Sequence, residues 1–429
     1  MIEVELLTEW NPWWENSEVP EKFRGKTREI YQKVMGSLNS KEISIITGVR
    51  RSGKSTLMYQ MVSNLILNKI NPKQILFINL EDPKLSQSSL DEIYETYKLE
   101  INPDNKAYIF FDEIHKKEDW VQWIRKKYDL KTNDKFTISS SSSHLLKGEY
   151  STLLTGRNLT FEIWPLTFKE FLDFSKIKID QKKISKDIIT KETKRKIIKT
   201  LDKYLQIGGF PAVFFEQDLY KSELLKQYFE DIIHKDIIDR YEVKSGKIKD
   251  LAIYLITNLG ATASLRNLRN SIKISYDTIK DYLEYFKEAF LLFSLDYFSY
   301  SLKEQKTKPS KIYCIDNGLR NAVAFKFSED HGKLAENLVF LTLKTKNKET
   351  YYWKNEKDIE VDFVIKENKD ISVINVSYTN EIKEREIKGI EKIRKEIKNI
   401  KSSYILTKNI EKEERGIKFI PLWKWLLTT

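Results

Sequence analysis

The sequence has little of what defines several protein classes. It contains a single cysteine, Cys314, so an internal disulfide and a cysteine-based zinc site are excluded and a reducing cytosol is favoured. No apolar run approaches the roughly 18 residues that span a membrane, and residues 1–5 are acidic, unlike a secretory signal. We therefore expect a cytoplasmic protein without membrane contact. Glycine and proline are also few, with 14 and 9 residues in a chain of 429, which argues against a long disordered region.

Charged and aromatic residues are abundant instead. The chain is 41% hydrophobic and 12% aromatic, which describes a globular protein, and 429 residues exceed one ordinary core. We therefore expect roughly two to four domains. The 74 lysines and arginines outnumber the 63 aspartates and glutamates, which gives a net charge of +11. This excess fits a nucleic-acid partner, but such a dense mixture of Lys and Glu is equally typical of a solvated surface.

Strand and helix signals alternate between residues 43 and 163, which predicts a parallel sheet with crossover helices, an α/β fold. A helical pattern runs from Ser55 to about Leu67. The five predicted strands are Ile43 to Thr47, Ile75 to Leu80, Ala107 to Asp112, Phe136 to Ser140 and Leu159 to Ile163.

A glycine-rich segment separates the first predicted strand from its helix and satisfies the P-loop pattern. Glycines at this place let backbone N–H groups close around phosphates, and the helix amino terminus adds partial positive charge. Lys54 would reach the β and γ phosphates and Ser55 would hold magnesium. The predicted nucleotide-binding residues are Gly48, Val49, Arg50, Arg51, Ser52, Gly53, Lys54, Ser55 and Thr56.

The third predicted strand ends in two adjacent carboxylates, Asp112 and Glu113. Asp112 suits coordination of magnesium, directly or from outside the first ligand sphere, and Glu113 suits orientation of the attacking water. Together with the P-loop, this pair favours hydrolysis of a nucleotide over binding alone.

Two further features are candidates for sensing and completing the nucleotide site. The fourth strand runs into a serine cluster, 139–143, where Ser140, Ser141 or Ser142 would sense the γ phosphate, and we take Ser141 as the candidate. Arg157 precedes the fifth strand, where ring-forming ATPases place an arginine that acts on a neighbour's nucleotide. A polar loop and a helix-end arginine remain alternative interpretations.

These motifs together resemble the AAA+ ATPases common in archaea and bacteria that carry a carboxyl-terminal domain of poorly defined function. The resemblance extends through Trp164-Pro165-Leu166-Thr167-Phe168-Lys169-Glu170-Phe171 and Tyr204-Leu205-Gln206-Ile207-Gly208-Gly209-Phe210-Pro211, and so covers nearly the whole chain. It implies a P-loop AAA+ core over 1–175, a helical lid and connector over 176–245, a winged-helix segment over 246–310 and a restriction-endonuclease-like α/β domain over 311–429. It also implies ATP and Mg²⁺ as cofactors.

The region 247–300 by itself predicts a helix-turn-helix followed by extended chain, with Ser264 and Ser275 as helix caps. Acidic residues dilute the exposed face of the third helix, whereas Arg266, Arg269, Lys273, Lys303, Lys306 and Lys308 lie nearby. Contact with DNA and a packing role both remain open. Near the amino end, Trp10, Trp13 and Trp14 would stack on bases or cover the edge of the core, and the lack of a surrounding basic cluster favours packing.

The pattern of the carboxyl-terminal region predicts a degenerate metal-dependent nuclease site. Glu336 on a predicted helix and Asp362 on a predicted strand match the acidic groups of such a site. Asn375 and Ser377 stand where the next strand would carry a carboxylate and a lysine. Because both changes weaken metal binding and water activation, we expect a degenerate site. Lys366, Lys369 or Arg385 would have to migrate into the site to restore it.

The sequence thus predicts an ATP-hydrolysing AAA+ protein that assembles into a homo-oligomer, with a ring as one form, and remodels or translocates on duplex or branched DNA or a DNA–protein complex. Two alternatives stay open. One is a nucleotide-dependent assembly switch with slow turnover, and the other is an ATP-gated, metal-dependent nuclease.

Overall fold

A computed structural model describes residues 2–143, 153–186, 188–325 and 330–429. The chain divides into two compact units, Met1–Ile163 and Trp164–Thr429. Within the described residues, no helix has both the length and the apolar character needed to cross a membrane.

The first unit is built on a parallel five-stranded sheet in the order β2-β3-β4-β1-β5. Four of its strands are almost wholly buried, as expected when helices cover both faces of a parallel sheet. The strands are β1 Ile43–Thr47, β2 Ile75–Asn79, β3 Tyr108–Asp112, β4 Lys135–Ser140 and β5 Asn158–Glu162. The helices are Val4–Trp10, Trp13–Asn16, Glu21–Arg24, Tyr31–Gly36, Lys54–Leu67, Leu90–Glu100 and Trp120–Asp129. The predicted parallel α/β core is confirmed.

The amino-terminal tryptophan segment covers the edge of this sheet. Strand β2 is an edge strand, and the Asn11 side chain donates to the Phe77 carbonyl (2.9 Å) and accepts from the Phe77 N–H (2.7 Å), as a neighbouring strand would. The indole nitrogens of Trp13 and Trp14 both donate to the Ile75 carbonyl, and Trp13 is fully buried. The packing interpretation is therefore confirmed, and the segment protects an edge that would otherwise invite pairing.

The second unit begins with helices and continues into a small sheet. Its antiparallel strands are β6 Thr262–Ala263, β7 Leu292–Leu295 and β8 Ser310–Cys314, in the order β6-β8-β7. The helices before the sheet are Phe168–Phe174, Gln181–Ser185, Lys191–Ile207, Pro211–Phe215, Asp218–Asp231, Asp239–Tyr241 and Ser245–Thr257, with a π-helical stretch at Ile232–Ile238. The helices between its strands are Leu265–Ile272, Tyr276–Glu288 and Leu302–Thr307. The extended run predicted to reach Tyr300 is shorter, because the chain leaves β7 after Leu295.

A mixed six-stranded sheet completes the second unit, in the order β13-β14-β12-β11-β10-β9. Strands β9 to β11 are antiparallel neighbours, whereas β11, β12 and β14 run parallel. The strands are β9 Glu349–Lys354, β10 Glu360–Glu367, β11 Asp370–Ser377, β12 Ile400–Thr407, β13 Lys412–Glu414 and β14 Ile417–Pro421. The helices of this part are Asn317–Val323, His331–Thr345, Glu384–Glu396 and Leu422–Thr428.

Candidate functional site

The P-loop joins β1 to the Lys54–Leu67 helix, and its backbone requires glycine at two places. Gly48 has φ +148°, and a Cβ atom there would lie 2.1 Å from the Ile163 carbonyl oxygen. Gly53 has φ +101° and caps the helix. Both residues adopt conformations that other L-residues rarely tolerate. The glycine spacing is thus explained by the shape of the turn, which presents the amino end of a 14-residue helix.

Lys54 lies at the centre of this loop and is held mainly by backbone oxygens. Its side chain is 4% exposed. The Nζ atom donates to the carbonyls of Gly48 (3.1 Å) and Val49 (3.4 Å), and it lies 3.5 Å from Glu113 Oε1. The lysine therefore joins the loop to the carboxyl end of β3.

Ser55 and Asp112, the two predicted magnesium ligands, are in direct contact. The Ser55 hydroxyl donates to Asp112 Oδ2 at 2.5 Å, and the Ser139 hydroxyl donates to Asp112 Oδ1. Burial and the neighbouring charge of Glu113 raise the pKa of Asp112 to about 6, although the two hydroxyls and Lys54 oppose this rise. A hydroxyl and a carboxylate at this separation are oxygen ligands of the kind that Mg²⁺ prefers, so these residues fit the ion.

Glu113 is kept ionised at the tip of β3. Its φ of 55° turns the chain sharply after the strand, and its Oε2 atom accepts from the Ser141 N–H at 3.0 Å. Burial opposes the negative charge, but Lys54, His115 and Arg50 outweigh burial and lower the pKa of Glu113 to about 2. An ionised carboxylate at this place can orient a water molecule or accept its proton.

The serine cluster divides its roles in a way that the sequence did not predict. Ser141, the sensor candidate, supplies its backbone N–H to Glu113, whereas the Ser140 hydroxyl lies 3.1 Å from His115 Nδ1. Ser139, which was not among the candidates, bridges the two carboxylate residues, because its Oγ accepts from the Glu113 N–H (3.0 Å) and donates to Asp112. The signal that would have found Ser139 is its position near the end of a buried strand beside β3.

The remaining P-loop residues shape the loop. Val49 and Ser52 are fully buried, Arg51 is exposed with φ +69°, and Thr56 packs beneath Gly25. The Arg50 guanidinium makes a two-fold contact with the Glu81 carboxylate, at 2.9 and 3.2 Å. Arg28 donates to the Ser52 carbonyl at 3.1 Å. Neither Glu81 nor Arg28 was predicted, since both lie outside the P-loop pattern.

Arg157 lies at the amino ends of the strands, and the P-loop lies at their carboxyl ends. Its carbonyl accepts from the N–H of Ile43, the first residue of β1, whereas the P-loop follows the last. The five-residue strand β1 separates its amino end, where Arg157 lies, from its carboxyl end, where the P-loop begins, by roughly 16 Å. Arg157 therefore cannot reach the P-loop of its own chain. Its Nε atom lies 2.9 Å from Asp129 Oδ1, and about a third of its side chain is exposed. An action on a neighbouring chain remains a prediction.

Glu336 and Asp362, the acidic residues of the predicted nuclease-like site, converge on a lysine that was not predicted. The Lys311 Nζ atom lies 2.9 Å from Glu336 Oε1, 3.3 Å from Asp362 Oδ1 and 2.5 Å from Glu360 Oε1. Of the residues considered for migration, Lys366 pairs with Glu349. Arg385 pairs with Glu386, whose other carboxylate oxygen accepts from the Asn375 amide at 3.3 Å.

Asn375 is fully engaged in holding the sheet. Its carbonyl oxygen accepts from the Asp362 N–H (3.1 Å), and its amide nitrogen donates to the Glu386 carbonyl (3.1 Å). The Asn375 oxygen thus joins β11 to β10, and the neutral amide brings no negative charge to a metal ion. Ser377 lies two residues further along β11 and is largely buried. Across the described ranges, no group of three or more His, Cys, Asp or Glu side chains is arranged to hold a metal ion.

Three family models match consecutive segments of the chain. A family model described as an AAA domain matches residues 40–172, and two domains of unknown function, DUF8612 and DUF4143, match 198–330 and 331–425. The uncharacterized protein MJ1544 of Methanocaldococcus jannaschii is 35% identical over 437 residues, covering 96% of this chain and 94% of that protein. An uncharacterized protein of Haemophilus influenzae is 29% identical over 411 residues, covering 94% and 98%. Among solved structures, the Walker-type ATPase paby2304 of Pyrococcus abyssi covers 71% of this chain and 97% of its own, at 12% identity and a TM-score of 0.43, too low to support an inference.

Proposed function

This chain belongs to the family of the uncharacterized protein MJ1544 of Methanocaldococcus jannaschii and carries an AAA domain of the P-loop ATPase fold, and from that premise we propose that it binds and hydrolyses ATP. The observation that carries this proposal is the contact between Ser55 and Asp112 beside the Lys54–Glu113 pair. It brings a phosphate-binding cation, a pair of magnesium ligands and an ionised base to the carboxyl ends of β1 and β3.

Each group has a distinct role in the proposed reaction. Backbone N–H groups of the loop and the helix amino end bind the phosphates. Lys54 exchanges its backbone carbonyl partners for phosphate oxygens, which are stronger acceptors because they are charged. Ser55 and Asp112 hold Mg²⁺, which when bound neutralises charge on the phosphates. Glu113 orients the attacking water and accepts its proton.

The direct test is Glu113→Gln, with Glu118→Gln as the matched control, since Glu118 is exposed and lies five residues along the chain. We expect Glu113→Gln to lower kcat about 100-fold or more, the usual worth of a positioned base, while ATP affinity stays within a few-fold. The control should leave both unchanged. If Glu113→Gln turns over like the unaltered protein, Glu113 is not the base. If the unaltered protein does not bind ATP, the proposed function itself is wrong.

We further propose that the working form is a homo-oligomer in which Arg157 acts on the nucleotide of a neighbouring chain. The support is the position of Arg157, which lies at the amino end of β1, remote from its own P-loop, and is partly exposed. A different function, an assembly switch with slow turnover, would need the oligomer without this action of Arg157. The effect of Arg157→Ala on turnover separates these two functions.

The proposed macromolecular partner is DNA. We propose that it is bound by the helices Ser245–Thr257, Leu265–Ile272 and Tyr276–Glu288 and by the small sheet of β6, β7 and β8, whose order along the chain is that expected of a winged helix. The support is a basic cavity of about 470 Å³ between the Tyr276–Glu288 helix and the chain that leads into β8. Glu284 is its acidic lining residue and lies 3.8 Å from Lys287. The basic residues that line it are Arg266, Lys280, Lys287, Lys306 and Lys308. Such a cleft suits a phosphate backbone rather than base readout.

The DNA proposal is tested by binding to duplex, single-stranded and branched DNA across a salt series. The double change Lys306→Gln/Lys308→Gln should reduce the slope of log K against log salt by roughly 2, about one for each lost phosphate contact. Lys392→Gln/Lys395→Gln, on the Glu384–Glu396 helix, removes the same charge elsewhere and is the control. Equal slopes in both double variants would exclude the cleft, and no binding to any DNA at low salt would exclude the partner.

A further inference from the structure

The carboxylate cluster of the second unit is organised around a single point, the Lys311 ammonium. Three carboxylate oxygens from Glu336, Glu360 and Asp362 lie 2.5 to 3.3 Å from Nζ. The ammonium donates hydrogen bonds to Glu336 and Asp362, and Glu360 completes the cluster as an ion pair. The Lys311 side chain is 1% exposed, whereas the side chains of Glu336, Asp362 and Glu360 are 16%, 16% and 30% exposed.

The backbone fixes the place of this ammonium. Lys311 belongs to β8, the central strand of the three-stranded sheet, where it pairs with Thr262 on one side and Leu295 on the other. Tyr313, two residues along the same face of β8, donates its hydroxyl to Glu336 Oε1 at 2.7 Å. The backbone of Lys311 is therefore held in a strand that is paired on both sides.

The carboxylates are equally constrained. Glu336 belongs to the His331–Thr345 helix, and Glu360 and Asp362, two residues apart, lie on the same face of β10. The second oxygen of Asp362 accepts from the Val376 N–H at 2.8 Å. Burial opposes the charge of Lys311, but Glu336, Tyr313, Asp362 and Glu360 outweigh it and raise the pKa of the ammonium well above its ordinary value. Three carboxylates within 3.3 Å of one ammonium thus supply the negative charge that a buried cation requires.

We propose that the Lys311 ammonium takes the place of a divalent cation, so that this domain fills its own cation site and is closed to metal ions until Lys311 is removed. Magnesium and manganese bind carboxylate oxygens at about 2.0–2.2 Å, and a cation that reaches all three carboxylates has to lie where Nζ lies. The ammonium and a metal ion exclude each other there. The domain thus has no place for the metal that a nuclease of this type uses, and the cluster instead joins β8 to β10.

This proposal is independent of ATP hydrolysis and is tested by metal binding to the nucleotide-free chain of 429 residues. Manganese uptake is followed by electron paramagnetic resonance in the unaltered protein, in Lys311→Ala and in Lys311→Ala/Asp362→Asn. Lys348→Ala is the control, because Lys348 pairs with Glu367 in the same part of the chain but is exposed. Sites elsewhere, the P-loop included, are common to all four proteins and cancel in the comparison.

We expect Lys311→Ala to bind one additional Mn²⁺ per chain, at least about tenfold more tightly than any site it shares with the unaltered protein. The addition of Asp362→Asn should abolish that site, and Lys348→Ala should gain nothing. Manganese should also raise the Tm of Lys311→Ala selectively, which keeps the test valid if this variant is partly unfolded. The proposal is overturned if the unaltered protein already binds a Mn²⁺ that is absent from Lys311→Ala/Asp362→Asn. It is equally overturned if Lys311→Ala gains no Mn²⁺ when folded, or is not refolded by Mn²⁺ when unfolded.

Discussion

Lys54 and Lys311 are both buried lysines that face carboxylates, yet their surroundings differ in kind. Lys54 has two backbone carbonyls at 3.1 and 3.4 Å and one carboxylate oxygen at 3.5 Å. Lys311 has three carboxylate oxygens between 2.5 and 3.3 Å. Neutral carbonyls hold an ammonium less strongly than ionised oxygens do. Lys54 is therefore held loosely enough to exchange partners for a phosphate, whereas Lys311 is locked.

The same contrast applies to the acidic groups. In the first unit, Glu113 is drawn to its low pKa by three separate basic groups, and Asp112 is held by hydroxyls. Both carboxylates thus keep oxygens that can be shared with a ligand. In the second unit, one lysine serves every carboxylate of the cluster. A site that exchanges ligands and a cluster that stabilises the fold therefore both consist of lysine and carboxylate side chains. They differ in the number and the charge of the groups that surround the lysine.

The largest expected effect comes from a third cation, Arg157, which pairs with the partly exposed Asp129. If Arg157 acts on a neighbouring chain, Arg157→Ala should lower kcat by about 1,000-fold or more while ATP affinity changes little. Arg125→Ala is the matched control, because Arg125 pairs with the same Asp129 at 3.4 Å. Steady-state turnover and nucleotide binding are measured on both variants.

Mixing two inactive variants sharpens this test. Arg157→Ala combined with Lys54→Met should regain part of the activity, since a mixed oligomer contains interfaces with an intact P-loop facing an intact arginine. If Arg157→Ala turns over like the unaltered protein, in-trans catalysis is wrong and the slow assembly switch becomes the better function.

A somewhat smaller effect on turnover is expected for Lys54→Met, which removes the exchangeable cation. Loss of one charged group that stabilises the transferred phosphate should lower kcat/KM about 100- to 1,000-fold. The free energy of unfolding should fall less than in Lys311→Met, because most partners of Lys54 are neutral carbonyls. Urea denaturation alongside the ATPase assay checks both parts, and a loss of stability equal to that of Lys311→Met would erase the distinction between the two lysines.

The nucleotide site was predictable because its signals are local. An apolar run, two glycines and a helical pattern follow one another within residues 43–67, and each constrains its own stretch of backbone. The strand that ends in Asp112 and Glu113 is equally readable. Ser139 was missed because its role depends on lying beside Asp112, 27 residues earlier, a contact that only the strand order creates.

Lys311 could not be found from the sequence for a similar reason. It is one of 74 basic residues, and nothing nearby distinguishes it from Lys306 and Lys308, which are exposed. Its partners come 25 to 51 residues later, on a helix and a strand that the local pattern does predict. The composition of the cluster was therefore half visible, as Glu336 and Asp362. Its cation became identifiable only once β8 was paired on both sides.

The smallest expected effect on turnover, and the largest on stability, is that of Lys311→Met. Removing one partner of a buried ion pair leaves the carboxylates uncompensated, which should cost about 3–5 kcal/mol of unfolding free energy. The exposed pair Lys348–Glu367 provides the control, and Lys348→Met should cost less than about 1 kcal/mol. Turnover per folded molecule should be unchanged in both variants, because neither lysine belongs to the nucleotide site.

The pH dependence of this loss gives the comparison its sharpest form. Burial raises the pKa of Glu336 from its ordinary 4.5 to about 7, even though Lys311 lowers it. A carboxyl with a raised folded-state pKa favours folding below its unfolded pKa and loses that contribution as pH rises through the folded value. Without Lys311 the folded pKa rises further, so the stability deficit of Lys311→Met should be small near pH 4 and widen above pH 7. A deficit independent of pH would mean that Lys311 stabilises the fold by packing its stem and not by holding the carboxylates.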